Sequence, residues 1–336
     1  MATRPSVAWV LGDAAGIGPE LVAKSLVHSD TMDICRPVIV GPVWLLERGM
    51  QIAQVQKEVE VCKPSQIDAV DTVKIPVVDE GWAFEEIPLG EVHQAAGKLS
   101  LGMIECAVNL ARDEVVDAVI KAPSNKESLK LGGNRFDTEL PLVAGWLGDT
   151  EFGEVNVVDD LFTTRVTSHV PLKDVSSLLQ PEKIFETIRL MHRVLVNAGF
   201  ESPRIGVSGL NPHAGEHGLF GNEEEEVIAP GIDIAEREGI AVEGPLPPDT
   251  IFVRARRGDF DGVVTMYHDQ GLIAMKLLGF DRGVSVSGGL SIPVMTTSHG
   301  TAYDIAGKGV ADPGAFQAAV QLACRMALER IASRSS

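Results

Sequence analysis

Short runs of β-branched and apolar residues alternate with longer amphipathic stretches along most of this chain of 336 residues. The apolar runs predict strands at residues 7–11, 37–40, 74–78, 117–120, 162–167, 204–208, 262–266 and 283–286. Apolar positions with a helical period predict helices that include residues 18–27, 99–113, 181–198, 223–237 and 313–332. Because strands and helices alternate, the pattern predicts an α/β fold whose strands are joined by crossover helices.

Composition narrows the class of protein. The length corresponds to about two domains, and 45% of the residues are apolar, which is enough for a sizeable core. The formal net charge of −18 disfavours nucleic acid and anionic membrane as partners, and we expect acidic runs such as residues 223–226 to be solvated helix faces. The cysteines are far apart, and no apolar run is long enough to span a membrane. We therefore expect a cytoplasmic protein with reduced thiols.

The segment 299–313 combines glycines, a helix start and one acidic residue. Glycines let the backbone approach a ligand closely, a helix N-terminus binds phosphate oxygens, and the Asp304 carboxylate suits a ribose diol and repels a 2′-phosphate. The segment resembles the adenosine-binding loop of isopropylmalate and isocitrate dehydrogenases, whose NADP-using members have a Lys-Tyr pair here. The resemblance implies NAD as the cofactor, with contacts from His299, Gly300, Thr301, Ala302, Asp304 and Ile305.

Three of the eight histidines follow predicted strands, in polar turns: His169, His213 and His268. Ligand sites in open α/β sheets form at the carboxyl ends of strands, and three imidazoles there could hold one divalent ion with open positions for substrate. A lone loop histidine is more often simply solvated, so spacing alone leaves both interpretations open. Asp269, next to His268, is a candidate acceptor that would fix the imidazole tautomer.

Six motifs that are highly specific as a set occur in order along the chain. They are Gly12-Asp-x-x-Gly-Ile-Gly-Pro-Glu-Leu, Lys121-Ala-Pro-x-Asn-Lys126, Gly209-Leu-Asn-Pro-His-Ala-Gly-Glu216, Gly244-Pro-Leu-Pro-x-Asp-Thr250, Met266-Tyr-His-Asp-Gln-Gly-Leu272 and His299-Gly-Thr-Ala. Over nearly its whole length the chain resembles the 4-hydroxythreonine-4-phosphate dehydrogenase family.

That resemblance implies the two-domain α/β/α fold of isocitrate and isopropylmalate dehydrogenases, with a cleft between the domains. It also implies a homodimer with its active site at the subunit interface, and a divalent metal bound by His169, His213 and His268. Zinc is the first choice, with magnesium, manganese or cobalt as alternatives. We expect a first domain of residues 1–130 and 295–336, which includes the cofactor loop, and a second domain of residues 131–294, which carries the metal histidines and the dimer interface.

Several positions depart from the family's substrate-binding pattern. Asp137 replaces a histidine, while the following Thr138 is retained. Ser285 replaces an asparagine and Val294 an arginine, whereas a lysine is kept as Lys276. Loss of an arginine removes a bidentate phosphate ligand, and a carboxylate nearby would repel a phosphate dianion. The pattern therefore predicts an unphosphorylated carboxylate substrate in contact with these five positions.

We accordingly expect an NAD- and metal-dependent dehydrogenase that oxidises and decarboxylates the cis-dihydrodiol of terephthalate to protocatechuate, in aromatic catabolism. The second carboxylate of that substrate would meet Lys276, Arg135, Lys126 or Arg282. The predicted catalytic residues are Lys126, Asp249, Asp269 and Lys276, and the sequence does not rank the first three as proton acceptors. Two alternatives remain. One is a dehydrogenase of 4-hydroxythreonine 4-phosphate or a related phosphorylated four-carbon acid, and the other is a non-catalytic relative that senses a ligand.

Overall fold

The computed structural model describes residues 4–335. Over these residues the chain forms twelve strands, which are β1 Ser6–Val10, β2 Arg36–Val40, β3 Val59–Val61, β4 Ile75–Val78, β5 Ala118–Lys121, β6 Gly153–Val158, β7 Leu161–Arg165, β8 Ile205–Ser208, β9 Val242–Leu246, β10 Gly262–Thr265, β11 Val284–Gly288 and β12 Val294–Thr297. The α-helices of the same range are α1 Gly18–Ser25, α2 Ser29–Met32, α3 Val43–Ala53, α4 Gln94–Arg112, α5 Lys126–Leu131, α6 Leu140–Leu147, α7 Val175–Leu178, α8 Pro181–Asn197, α9 Ala229–Arg237, α10 Ile251–Arg256, α11 His268–Gly279 and α12 Gly314–Ser335.

The chain divides into two compact units. Unit 1 extends to Thr150 and resumes at Leu290, and unit 2 is Glu151–Gly289. The sequence predicts boundaries at residues 130 and 294. The first boundary lies later because α5 and α6 both pack against α4. The second lies earlier because β12 pairs with β5 of unit 1 and the backbone N–H of Ser291 donates to Asp149 at 2.8 Å.

Unit 1 is built on a parallel sheet with the strand order β3-β4-β2-β1-β5-β12. Its central strands are buried on both faces. The ring of Trp9, on β1, is fully buried and packs edge-on against Phe316 of α12, with 5.3 Å between the ring centroids. Strands that are covered on both faces are continuous apolar runs in sequence, which is why the periodicity predicted β1, β2, β4 and β5.

Unit 2 has the strand order β11-β6-β7-β10-β8-β9, in which β11, β6 and β7 are antiparallel neighbours and the remaining pairs are parallel. Helix α8 covers this sheet with Ile184, Ile188 and Met191 buried. Because β7, β10 and β8 are adjacent and parallel, their carboxyl ends meet at one edge of the sheet. Each of these three strands leads into a loop or helix that carries one of the candidate metal histidines.

The predicted α/β class is confirmed, and each of the eight predicted strands corresponds to an observed one. The structure adds β3, β6, β9 and β12. Within residues 4–335, no helix is both long enough and apolar enough to cross a membrane.

Candidate active site

The predicted cofactor loop lies in unit 1, between β12 and α12. Ala302 adopts the left-handed conformation (φ +44°) and turns the chain into a short 3-10 helix, Tyr303–Ile305. Asp304 is exposed on this turn, so its carboxylate is accessible to a ligand in solution. His299 is half-buried, with Nδ1 3.0 Å from the carbonyl oxygen of Gly300.

The glycine-rich turn after β1 packs against this loop. The backbone N–H of Ile17 donates to the carbonyl of Thr301 at 3.1 Å, and Thr301 itself is buried. A Cβ built on Gly16 would lie 2.9 Å from the Cβ of Thr301, which is closer than side chains pack, so only glycine fits there. The turn therefore supports the cofactor loop directly.

The buried carboxylate of Asp13 forms a hydrogen bond with the same loop. The hydroxyl of Tyr303 donates to Oδ2 of the fully buried Asp13 at 2.9 Å, and the backbone N–H of Ala15 donates to Oδ1 at 2.8 Å. Ser128 Oγ lies 3.2 Å from the Tyr303 hydroxyl. Burial raises the pKa of Asp13 above its ordinary value, although these hydrogen bonds oppose the shift. Tyr303 is thus engaged inside unit 1, whereas Asp304 presents its carboxylate outward.

The other unit 1 positions predicted to act on substrate differ in accessibility. Lys126 is exposed at the first residue of α5, and Asp137 is exposed in the loop before α6. Thr138 is half-buried, and its carbonyl accepts a hydrogen bond from Nδ2 of the buried Asn134 at 3.2 Å. Val294 is fully buried in β12. Its side chain belongs to the core of unit 1 and not to a surface that a substrate reaches.

An ion pair fixes the start of α6. Lys121 Nζ lies 2.5 Å from Glu139 Oε1, and the two side chains are 4% and 19% exposed. Burial by itself raises the pKa of Glu139, but the charge and hydrogen bond of Lys121 outweigh it, so the pKa lies below its ordinary value. The ion pair therefore fixes the position of Glu139, which directly follows Thr138 in the chain.

Two of the candidate metal histidines lie together in unit 2. His169 follows β7 and His268 opens α11, and their ring centroids are 5.8 Å apart. Imidazole nitrogens lie about 2.0–2.1 Å from zinc, so two rings on one tetrahedral ion have centroids about 5 Å apart, close to the observed distance. His268 Nδ1 is 2.7 Å from Asp269 Oδ1. An Nδ1–H donated to Asp269 leaves Nε2 as the nitrogen that can bind a metal.

His213 does not lie close enough to this pair to share a metal ion with it in one chain. It is exposed in the loop after β8, with its ring centroid 6.0 Å from that of Phe220. In the described part of the chain, no group of three or more His, Cys, Asp or Glu side chains is close enough to hold a metal ion. Three neutral imidazoles remain a suitable donor set for a divalent metal.

The loop around His213 has an unusual backbone. Every residue from 213 to 218 has a positive φ, between +44° and +87°, although only Gly215 and Gly218 are glycines. The left-handed conformation costs other residues about 1–2 kcal/mol each. Such a run persists only where the surrounding structure holds it, and backbone strain of this kind clusters at functional sites.

Glu224 makes the contacts that hold this loop. Its Oε1 accepts hydrogen bonds from the backbone N–H groups of Leu210 (2.8 Å) and Asn211 (2.7 Å), and its Oε2 accepts one from Asn211 Nδ2 (3.0 Å). It begins a five-residue π-helix, Glu224–Ile228, a geometry that is frequent at functional sites. The expectation that the acidic run is uniformly solvated is wrong at this residue, which is only 2% exposed.

The remaining candidates in unit 2 are mostly exposed. Asp249 lies just before α10, Lys276 lies on α11, and the Asp269 side chain is 72% exposed beside His268. Ser285 is half-buried on β11, where its Oγ accepts a hydrogen bond from Asn156 Nδ2 at 2.8 Å.

A polar network, which the sequence did not reveal, continues from Asn156 towards the His169 loop. Arg165, whose side chain is 5% exposed, donates from Nη1 to Asn156 Oδ1 at 2.6 Å and from Nη2 to Glu154 Oε1 at 3.0 Å. Its Nε donates to Oγ of Ser168, the residue before His169, at 3.1 Å. An interior arginine on a short strand gives no periodic signal. The network appears only once β6 and β7 are paired.

Comparison with known proteins decides the family. Residues 33–323 match the family described as pyridoxal phosphate biosynthetic protein PdxA. The chain belongs to the PdxA family. A Pseudomonas aeruginosa relative, provisionally named 4-hydroxythreonine-4-phosphate dehydrogenase 2, is 45% identical over 334 residues, covering 96% of this chain and 97% of its own. The D-threonate 4-phosphate dehydrogenase of Cupriavidus necator is 41% identical over 327 residues, covering 97% and 98%.

Solved structures agree with the family and confirm that the chain is a dehydrogenase. The crystal structure of a 4-hydroxythreonine-4-phosphate dehydrogenase from Burkholderia phymatum is 40% identical, with a TM-score of 0.83 over 96% of this chain and 98% of its own. The crystal structure of a terephthalate 1,2-cis-dihydrodiol dehydrogenase from Burkholderia xenovorans is only 27% identical, with a TM-score of 0.66 over 96% and 98%.

The predicted terephthalate reaction, and with it the role in aromatic catabolism, is wrong. PdxA-family relatives that are 40–45% identical are named for phosphorylated substrates instead. The three substitutions at Asp137, Ser285 and Val294 do not by themselves remove a phosphate site. Val294 is a core residue, and exposed cations such as Lys126 and Lys276 remain available.

Proposed function

We propose that this PdxA-family dehydrogenase uses NAD to oxidise a phosphorylated four-carbon hydroxy acid, either 4-hydroxythreonine 4-phosphate or D-threonate 4-phosphate. The observation that carries the proposal is the 40–45% identity, over 96–97% of the chain, to relatives named for these substrates. Lys126, in a matched motif, and the retained Lys276 are both exposed, and we assign them to the phosphate and carboxylate of the substrate.

Both substrates have a hydroxyl on the carbon β to the carboxylate. Oxidation removes a hydride from that carbon, which bound NAD accepts, and a proton from the hydroxyl, which a side chain accepts. Asp249, Asp269 and Lys126 stay open as candidates for that side chain. The product is a β-keto acid, whose bond to the carboxylate can break with release of CO₂, so decarboxylation belongs to the proposal.

The cofactor assignment rests on the cofactor loop. Asp304 presents an exposed carboxylate, while the neighbouring Tyr303 is turned inward onto Asp13. A carboxylate in this place hydrogen-bonds a ribose diol and repels the 2′-phosphate of NADP. NAD is therefore the proposed cofactor.

The metal assignment rests on three histidines of unit 2. His169 and His268 are spaced as two ligands of one ion, and His213 would complete the set. A divalent ion bound there, zinc first and magnesium, manganese or cobalt as alternatives, would supply Lewis-acid polarisation of the substrate oxygen. His213→Ala should weaken Co²⁺ binding strongly without unfolding the protein. His217→Ala, at an exposed histidine of the same loop, is the matched control. Equal Co²⁺ affinity in the two variants would refute the assignment.

We propose a homodimer, and the exposed apolar surface of α11 supports this proposal. Ile273, Leu277 and Phe280 are 59%, 84% and 62% exposed, and their spacing places them on one side of α11 and of the residue that follows it. Large apolar groups exposed in a row mark interaction surfaces. Because α11 begins with His268, a second subunit bound here would lie close to the metal histidines. We propose that the active site is completed at this interface.

Location is a further part of the proposal. The four cysteines, Cys35, Cys62, Cys106 and Cys324, are free thiols. Free thiols are typical of a reducing compartment, and we propose a cytoplasmic location on that basis.

A substrate panel tests the function. NADH formation should be measured with both phosphorylated acids and with their dephosphorylated counterparts as matched controls. A site built to bind phosphate rejects an analogue without it by about 10⁴-fold in kcat/KM, because its donors are left unpaired. Comparable turnover of phosphorylated and dephosphorylated acids would contradict the proposal.

A further inference from the structure

A buried carboxylate outside the predicted site holds both sides of the His213 loop. A Cβ built on Gly209 would lie 3.0 Å from Glu224 Oε1, and one built on Gly215 would lie 2.8 Å from Glu224 Oε2. The carboxylate is therefore in close contact with the residue after β8 and with the middle of the left-handed run. The carboxylate also accepts hydrogen bonds from Leu210 and Asn211, which lie between Gly209 and Gly215 in the chain.

We propose that Glu224 is a positioning residue that fixes the loop of residues 209–218 in the conformation from which the His213 imidazole would reach a metal at the subunit interface proposed above. This inference rests on the metal role proposed above for His213. Glu224 is itself 2% exposed, and both of its oxygens are engaged by the loop. It acts on the metal site through the backbone that carries His213.

The contacts require a side chain with two acceptor oxygens. Three N–H groups converge on the two oxygens, and a carboxylate is the side chain that accepts at both. A glutamine of the same shape would turn its NH₂ group towards either the two backbone N–H groups or Asn211 Nδ2. In both orientations a donor faces a donor, and at least one buried polar group loses its partner.

The same loop is also tied to the turn that carries His268. Gln270 Nε2 donates to the carbonyl of Gly209 at 2.7 Å, and Gln270 Oε1 accepts from the backbone N–H of Met266 at 2.7 Å. Glu224 and Gln270 thus hold the first residues of the His213 loop from two directions. Glu224 lies at the start of the π-helix, and Gln270 lies in the first turn of α11, after β10.

The variant that tests the inference is Glu224→Gln in the full-length protein. Glu225→Gln is the matched control, because it makes the same chemical change at the next, exposed position. Binding of Co²⁺ to the metal-free protein, followed by visible absorption, reports on the imidazole ligands without requiring turnover. Chymotrypsin reports on the loop, because Leu219 and Phe220 are 71% and 46% exposed directly after the left-handed run.

Glu224→Gln should raise the Kd for Co²⁺ by roughly 10–100-fold, the range seen when groups that orient metal ligands are changed. Cleavage after Leu219 and Phe220 should be faster, and saturating Co²⁺ should restore much of the lost kcat. Glu225→Gln should match the wild type in all three measurements. Wild-type Co²⁺ affinity and wild-type cleavage in Glu224→Gln would overturn the inference.

Two further variants, Asn211→Ala and His213→Ala, cover the cases in which Glu224→Gln alone gives no answer. If Glu224→Gln unfolds, Asn211→Ala removes one partner of the carboxylate and should give a smaller shift in the same direction, and wild-type behaviour there would overturn the inference. If His213→Ala binds Co²⁺ as the wild type does, the proposed metal role fails. The cleavage rate of Glu224→Gln then decides alone whether Glu224 holds the loop, with a faster rate supporting it and an unchanged rate refuting it.

Discussion

The hydroxyl of Tyr303 donates a 2.9 Å hydrogen bond to the fully buried carboxylate of Asp13. This bond joins the turn after β1 to the cofactor loop, two segments that are 290 residues apart in sequence. It also explains how adjacent residues of the loop differ in role, because Tyr303 is held inside unit 1 while Asp304 is exposed. The position of the Asp304 carboxylate therefore depends on a residue far from it in the chain.

Tyr303→Phe should loosen this loop. The variant keeps the ring but leaves Asp13 with one donor fewer, which costs about 1–3 kcal/mol of unfolding free energy. KM for NAD should rise while kcat changes little, because the loop is proposed to bind the adenosine end of NAD, away from the reacting nicotinamide. Urea unfolding and NAD titration measure the two effects.

The same substitution has a pH signature. Burial already raises the pKa of Asp13, and loss of the Tyr303 hydrogen bond should raise it further. The stability deficit of Tyr303→Phe relative to the wild type should therefore grow as the pH rises through the range in which Asp13 ionises. A deficit that is independent of pH, with an unchanged KM for NAD, would show that the bond does not anchor the loop.

The parts of the fold that the sequence predicted are those with one dominant local signal. Buried parallel strands such as β1 and β5 are apolar runs, and α8 has a clear helical period. Strand β6 was missed because Glu154 and Asn156, which bind Arg165, interrupt its apolar pattern. Strand β12 does not give an apolar run, because Pro293 precedes it and its last two residues, Thr296 and Thr297, are polar.

The candidate site shows the same limit. Motifs drew attention to His169, His213 and His268, but the left-handed backbone around His213 has no sequence signal beyond two glycines. Glu224 is one of four consecutive glutamates, and nothing local distinguishes the buried one from the other three. Its burial depends on tertiary contacts with a loop that lies earlier in the chain.

Asp304 should control the choice of cofactor. With the wild type, kcat/KM should be far higher for NAD than for NADP, because the carboxylate repels a 2′-phosphate. Asp304→Asn, which removes the charge alone, should narrow the ratio, and Asp304→Lys should narrow it further or reverse it. Initial rates with both cofactors measure the ratio. A wild-type enzyme that uses NADP as well as NAD would refute this role.

The ion pair between Lys121 and Glu139 should carry measurable stability. Lys121→Met leaves a mostly buried carboxylate without its partner, and we expect a loss of about 3–5 kcal/mol in unfolding free energy at neutral pH. The folded-state pKa of Glu139 is lowered, so the stability from ionised Glu139 is present above its ordinary pKa of 4.5 and is lost as the pH falls below that value. Without Lys121, burial raises the pKa of Glu139, so the deficit of Lys121→Met should begin to shrink above pH 4.5 and continue to shrink as the pH falls further.

A double variant distinguishes the effect of an unpaired Glu139 from the loss of packing around Lys121. Lys121→Met combined with Glu139→Leu replaces both charges with apolar groups and should recover much of the lost stability. Urea unfolding at neutral and acidic pH measures all three proteins. If the double variant is as unstable as Lys121→Met, the loss reflects packing around Lys121 and not an unpaired carboxylate.

The apolar row on α11 should be the surface that joins two subunits. Leu277 is its most exposed member, and a charge placed there would have to be buried in any interface that covers it. Leu277→Glu should therefore convert a dimer to a monomer, which halves the mass measured by sedimentation. Leu328→Glu changes an exposed leucine on α12 of unit 1 and should leave the mass unchanged. Because His268 opens the same helix, the monomeric variant should also bind Co²⁺ more weakly than the control. A Leu277→Glu protein with the mass and Co²⁺ affinity of the wild type would place the interface elsewhere.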